Sequence, residues 1–249
     1  MANFQILNNI DHRNLRIITE RSADYGDNVW YTVTFPSEFR AVQRHYPVFF
    51  IKHSETGEYQ AAAMFGVEEG ENLFLDENGW NASYIPLNLM RQPFLVGFQE
   101  STETGRESQE PVVTVDMDHP RVSLEKGEPV FLEHGGNTEF LEQINSILNA
   151  VFVGTRSSKP FFATLQDLNL IESFVLDAQL YDGSEHRLAG FYTINEEVLG
   201  NLDGAHLEML NKKGYLEAIY MVIASMTNLP TLLERKNELR KAAVAHAEN

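Results

Sequence analysis

The hydrophobic period of this chain changes partway along it, and that change limits the fold more than any other feature. Up to about residue 116 the apolar residues fall in short β-branched and aromatic runs, each bounded by turn residues. Beyond about residue 137 they recur at three-and-four spacing. Strands followed by helices predict an α+β fold. The expected architecture is a largely antiparallel β-sheet in the N-terminal half, with a cluster of helices and one β-hairpin in the C-terminal half.

In the first half, Asn28 to Phe35 reads as a strand stopped by Pro36, followed by a helical turn over Ser37 to Arg44. Pro47 to Lys52 is a nearly continuous apolar run, as in a strand covered on both faces. The turn Ser54 to Gly57 returns the chain as a partner strand over Tyr59 to Val67. Asn72 to Asp76, Pro93 to Gln99 and Val112 to Asp116 read as further strands, and the polar stretch Glu100 to Glu110 as an exposed loop.

In the second half, Asn137 or Thr138 is placed to cap a helix carrying Phe140, Leu141, Ile144, Ile147, Leu148 and Val151 on one stripe. Pro160 to Leu170 reads as a separate short helix. Phe174 to Tyr181 and Arg187 to Tyr192 flank an Asp182-Gly183 pair, a strong hairpin signal. Thr193 and Glu196 have capping-box spacing. Tyr215 to Met226 is expected to bury Leu216, Ile219, Tyr220 and Ile223, and Pro230 to open a final helix.

With 249 residues the chain is long enough for a sizeable core. It is read as one domain over 1–249, any subdivision being expected between 120 and 136. The net charge of −17 repels phosphate backbones, so nucleic acid is not an expected partner. The basic cluster Arg235, Lys236, Arg240 and Lys241 is read as complementing the dipole of the last helix. The absence of cysteine excludes disulfides, thiolate metal sites and thiol nucleophiles. The first residues, MANFQILNNIDHR, lack the basic and apolar regions of a secretory signal, which points to the cytoplasm. The longest uncharged run, Ala218 to Leu233, is shorter than the ~20 apolar residues of a spanning helix, so no membrane span is expected.

Chemistry is concentrated in two places. Tyr46 to Phe94 packs aromatics and prolines densely, and within it Tyr46, Trp80, Tyr84 and Arg91 form a candidate ligand-binding set. The rings would stack on a ligand while Arg91 grips a carboxylate or carbonyl. The plainer alternative has the rings filling a core, with Arg91 tied to Asp76 or a backbone carbonyl. The second place is Asp116, Asp118 and His119, with His134 nearby. Their types suit a metal-dependent oxygenase or hydrolase, but their spacing matches no metal motif. A turn before Pro120, organised by Asp118, explains them equally well. The remaining histidines, among them His12, His186 and His246, sit beside polar residues and are expected at the surface. No nucleophile elbow or phosphate loop is present, and no cofactor is expected.

Read in order, several fragments resemble the SapC family of bacterial proteins. They are FPSEF at Phe35 to Phe39, YPVFF at Tyr46 to Phe50, GENLF at Gly70 to Phe74, then Trp80, Tyr84-Ile85-Pro86 and Arg91-Gln92-Pro93-Phe94. Gly190 to Glu196 (GFYTINE) and a later helix with Gly214 complete the set, which runs over about nine-tenths of the chain. The resemblance brings no catalytic set with it. It implies a genomic neighbourhood of flavin-dependent tryptophan-halogenase-like proteins, cupin-like oxygenases and TonB-dependent receptors. From that context a halogenase-like or cupin-like partner protein is one expectation. The expected function is therefore a non-catalytic binding or accessory protein that recognises a peptide, an amino-acid-type ligand or a partner enzyme. The alternative is a metal-dependent enzyme acting on a peptide or amino-acid substrate. Homo-oligomerisation is left open.

Overall fold

A computed structural model describes residues 3–101, 108–181 and 183–247. The first elements are β1 (Phe4–Ile6), β2 (Arg16–Ile17), β3 (Tyr31–Thr34), α1 (Phe39–Val42), β4 (Val48–Lys52) and β5 (Tyr59–Met64). Next come β6 (Leu75–Asp76), β7 (Gly79–Trp80), α2 (Leu87–Met90), β8 (Phe94–Ser101), β9 (Ser108–Asp116), β10 (Val122–Ser123) and β11 (Glu128–Pro129). The remainder is α3 (Glu139–Asp167), β12 (Ile171–Gln179), β13 (Glu185–Ile194), α4 (Glu196–Gly200), α5 (Gly204–Lys212), α6 (Tyr215–Ser225) and α7 (Asn228–Ala247). Among the described residues all sheet pairings are antiparallel. The fold is α+β, with strands mostly early and helices mostly late.

The residues group into two compact units, 1–27 with 87–153, and 28–86 with 154–249. The divisions fall at 27/28, 86/87 and 153/154, so residues 120–136 lie wholly inside the first unit.

In the first unit, β9 runs between β1 and β8, and β2 runs between β10 and β11. The β8–β9 ladder reaches from Phe94↔Val115 to Ser101↔Ser108. Both strands therefore extend into the stretch expected as a loop, of which 102–107 lie outside the described residues. Alternation explains the extension: once Phe94, Val96, Val113 and Val115 face the helix, the polar ends continue the ladder at little expense. The core joins Leu15, Ile17, Phe94 and Val115 to Leu141, Ile144 and Leu148 of α3. Thr138 caps α3, its hydroxyl oxygen accepting from Leu141 N at 3.3 Å.

In the second unit the sheet order is β12-β13-β4-β5-β3. The hairpin β12–β13 thus joins the sheet built by the first-half strands, with Phe191↔Ile51 and Tyr192↔Phe50 in register. Asp182, expected in its turn, lies outside the described residues. Ser225 of α6 accepts from Val48 N at 2.9 Å and donates to Val222 O at 2.6 Å, which fastens the helix to the start of β4.

Three local expectations are corrected. Pro160 does not open a new helix but lies inside α3. The helix continues through it because burial of Phe161, Phe162 and Leu165 outweighs the lost Pro160 donor. The cap of α4 is Asn195, which accepts from Val198 N at 2.9 Å, while Thr193 stays in β13 opposite Glu172. α6 buries Ala218, Ile219, Val222 and Ser225, and Tyr220 faces outward. Its register is set by Ser225 meeting the sheet, a tertiary contact that periodicity does not carry.

The stretch Tyr215–Ala242 is long and apolar enough, by length and composition, to cross a membrane. Within the unit its Ala218, Ile219, Val222, Leu229 and Leu232 are buried, while about a third of the apolar window as a whole is buried. The basic cluster of α7 does more than meet a dipole. Lys236 pairs with Glu71 and, at 3.0 Å, with Glu68, while the Arg235 guanidinium lies 4.5 Å from the Phe74 ring centroid.

Candidate functional site

Three of the four residues expected to grip a ligand come together in the second unit. Tyr46 follows α1, Trp80 ends β7 and Tyr84 lies beyond it. Trp80 Nε1 donates to Tyr46 Oη at 2.8 Å, and Tyr46 Oη donates to Tyr84 O. Tyr84 Oη donates to Glu38 Oε1 at 2.8 Å, and Thr34 Oγ1 to Glu38 Oε2 at 2.6 Å. Tyr46 is fully buried, edge-on to Phe65 and Phe74. Burial pushes its hydroxyl pKa upward; burial and then the Glu38 charge do the same for Tyr84. The hydroxyl and indole hydrogens of the trio are thus engaged within the unit. The bonds among them hold the Tyr46–Tyr84 segment in place, with Tyr46 buried and Trp80 and Tyr84 partly exposed.

Arg91 belongs to the first unit. Its Nε donates to Asn88 Oδ1 at 2.9 Å and its Nη1 to Phe94 O at 2.8 Å. The guanidinium therefore braces the turn between α2 and β8, and burial lowers its pKa.

The acidic–histidine group also lies in the first unit. Asp116, not Asp118, organises the turn: its Oδ1 accepts from Asn3 N at 2.9 Å and from Asp118 N at 3.2 Å. His119 Nδ1 accepts from Arg121 N at 3.2 Å. Burial first, then the Arg121 charge, holds the imidazole below its ordinary pKa. His134 is exposed, in the turn that Gly135 N closes onto Leu132 O at 2.9 Å. Among the described residues no three His, Asp or Glu side chains converge as a metal site. Contrary to expectation His12 is buried, its Nδ1 accepting from Asn8 N at 3.2 Å and its Nε2 meeting Gln5 Oε1 at 3.2 Å. The side chains of His186 and His246 lie outside the described residues.

A concave feature that the sequence did not indicate lies in the first unit. A groove of about 950 Å³ in the first unit runs along residues 10–16 and 129–133, with Met117 and Leu124 beside it. β2 organises it. Ile17 pairs with Val122 on one side and Glu128 on the other, and Val130 N donates to Leu15 O at 3.0 Å. Gly127 is required there: its φ is +98°, and a Cβ would stand 2.2 Å from Ile17 O. Its carbonyl accepts from Arg16 Nη1 at 2.8 Å, as the Glu133 carbonyl accepts from Arg13 Nη2 at 2.8 Å.

Three aliphatic side chains line the groove yet stay in water: Ile10 is 83% exposed, Leu124 70% and Leu132 54%. Asp11, Arg13, Arg16 and Glu133 alternate among them. Each guanidinium carries five donors, so one bond to a backbone carbonyl leaves others for a ligand. The signal in the sequence was Ile10 and Leu124 each standing alone in a polar setting, NNIDHR and SLEKGE, whereas Leu132 ends the apolar run Val130-Phe131-Leu132. Nothing local said that such distant stretches meet.

No curated protein and no solved structure matches the chain. A family model described as SapC matches residues 7–232, which takes in the groove, the aromatic trio and nearly all of the two cores. That match covers the fragments whose order first suggested the relationship, and the chain belongs to the SapC family.

Proposed function

We propose that the protein is a non-catalytic binding module that holds an extended peptide segment in the groove of its first unit. The observation that carries this reading is the exposure of Ile10, Leu124 and Leu132 on one groove. Aliphatic side chains left in water beside a concavity stabilise a complex when a partner covers them. The volume is at the upper end of the roughly 300–1,000 Å³ of small-ligand sites, which favours several residues of a peptide over one metabolite. Arg13 and Arg16 would donate to peptide carbonyls or to a terminal carboxylate.

The test is selection from a displayed peptide library on the intact protein, followed by affinity measurements with the enriched sequences. Leu124→Asp and Ile10→Asp change exposed positions and leave the core alone. Each is expected to weaken the selected peptides about tenfold or more. Enrichment of nothing, or peptides indifferent to both substitutions, rejects the groove as a peptide site.

A further inference from the structure

A second cavity, in the other unit, differs in its chemistry. It measures about 560 Å³ and lies between the second half of α3 and the strands β3 and β5. Its aromatic wall is rigid. The Tyr59 and Phe162 rings stack at 27° with centroids 6.2 Å apart. Phe162 meets Phe50 edge-on at 5.0 Å, and Tyr59 meets Tyr192 edge-on at 5.1 Å. The polar lining includes Arg156, Lys159, Glu58, Gln60, Gln166 and the hydroxyls of Thr34, Thr155 and Ser158.

The charge of this lining departs from that of the chain. The chain carries −17 overall, yet the ionisable lining is two cations against the one acid, Glu58. A third cation, Lys52 Nζ, lies 5.5 Å from the centroid of the Tyr59 ring. Lys159 Nζ and Glu58 Oε1 are paired at 2.7 Å, with 78% and 55% of their side chains exposed. An ion pair so open to water contributes little, so an incoming carboxylate displaces Glu58 from Lys159 without a large penalty.

We propose that this cavity binds a small planar aromatic carboxylate, its ring against Tyr59 and Phe162 and its carboxylate on Lys159 and Arg156. A flat ring uses the rigid aromatic wall. The anion uses a local positive field in an otherwise acidic protein. The amides and hydroxyls would fix the ligand's orientation. This site is independent of the peptide groove, in residues and in ligand class, so either can fail alone.

The experiment titrates the full chain with 2-naphthoate and with neutral 2-naphthamide, by calorimetry and ligand-observed magnetic resonance. Naphthoate is expected to bind and the amide to bind at least several-fold more weakly. Two variants carry opposite signs. Lys159→Gln removes the anion's partner and weakens naphthoate roughly threefold to tenfold, whereas Glu58→Gln removes the competing carboxylate and tightens it. Both positions are exposed, so folding is retained, and the thermal midpoint confirms it. Tyr59→Leu weakens both probes. Equal binding of the two probes, no binding at millimolar concentration, or an unchanged affinity in both charge variants overturns the proposal.

Discussion

The hydroxyl of Tyr84 donates to Oε1 of Glu38 across 2.8 Å, and Glu38 is only 4% exposed. Thr34 supplies a second hydroxyl to the other oxygen at 2.6 Å. A buried carboxylate is tolerable only when its lone pairs are met, and hydrogen bonds to a charged group are the strong ones. Tyr84→Phe removes one donor and leaves the acceptor buried. It is expected to lower stability by about 1.5–3 kcal/mol, read from urea unfolding. A loss below about 0.5 kcal/mol would mean that Glu38 does not depend on the phenol.

The same burial has a spectroscopic consequence. An unperturbed tyrosine ionises near pH 10. Tyr46 and Tyr84 are both pushed well above that, by burial first and, for Tyr84, by the adjacent negative charge. In the native protein neither should therefore contribute to phenolate absorbance that develops near pH 10. Tyr46→Phe and Tyr84→Phe are each expected to leave its amplitude unchanged. A drop by one tyrosine's worth in either variant contradicts the buried network.

Asp27 and Arg121 form an ion pair deep in the first unit, at 2.5 Å with both side chains almost wholly buried. Arg121 also donates to Ile18 O at 2.8 Å and Glu20 O at 2.7 Å, and Asp27 accepts from Ser22 N at 3.0 Å and Arg21 at 3.1 Å. Removing one partner strands the other charge away from water. Asp27→Asn is expected to destabilise by about 3–5 kcal/mol. The double variant Asp27→Asn with Arg121→Met should lose less than the sum of the two singles. Strict additivity in a double-mutant cycle would show that the charges are not coupled.

These networks mark the boundary of what the chain disclosed by pattern. The strands from β3 to β5, the β12–β13 hairpin and the stripe of α3 follow from local period and turn chemistry, and they were legible. The continuation of α3 through Pro160 was not, because burial of Phe161 and Phe162 outweighs a local breaker. The aromatic segment was recognisable as important, but its role was not. Whether Trp80 stacks on a ligand or donates to Tyr46 depends on what lies 34 positions away in sequence. The groove was hidden for the same reason: it is assembled from residues 10–16 and 129–133, which only the pairing of β2 with β11 brings together.

Stability should depend on pH through His119. Its folded pKa is lowered, by burial and then by Arg121, and its Nδ1 must stay unprotonated to accept from Arg121 N at 3.2 Å. Above the ordinary histidine value of 6.5 the ring is neutral in both states and stability is at its full value. As the pH falls through 6.5 the unfolded chain binds the proton first, so stability is progressively lost. His45 is shifted the same way, by burial and then the charges of Arg44 and Arg235. The thermal midpoint is expected to fall between about pH 7 and pH 5.5. His119→Asn, which keeps an acceptor, should flatten that fall in part. An identical slope in the variant would remove His119 from the account.

Gly154 offers a test of packing against propensity. In an ordinary helix interior, Gly→Ala stabilises by about 1 kcal/mol. Within α3, however, a Cβ at Gly154 would lie 2.2 Å from Cδ2 of Phe35 and 2.5 Å from two more of its ring carbons. Phe35 is buried at the start of the turn into α1 and cannot swing away without disturbing that turn. Gly154→Ala is therefore expected to destabilise by about 1–3 kcal/mol, the range for overpacked cores. Gly200 in α4 has no atom within 4 Å of its would-be Cβ, so Gly200→Ala is the matched control. It is expected to be neutral or stabilising by up to about 1 kcal/mol. Chemical denaturation of both variants decides the matter, and a stabilised Gly154→Ala protein would show that Phe35 and α3 do not pack this closely.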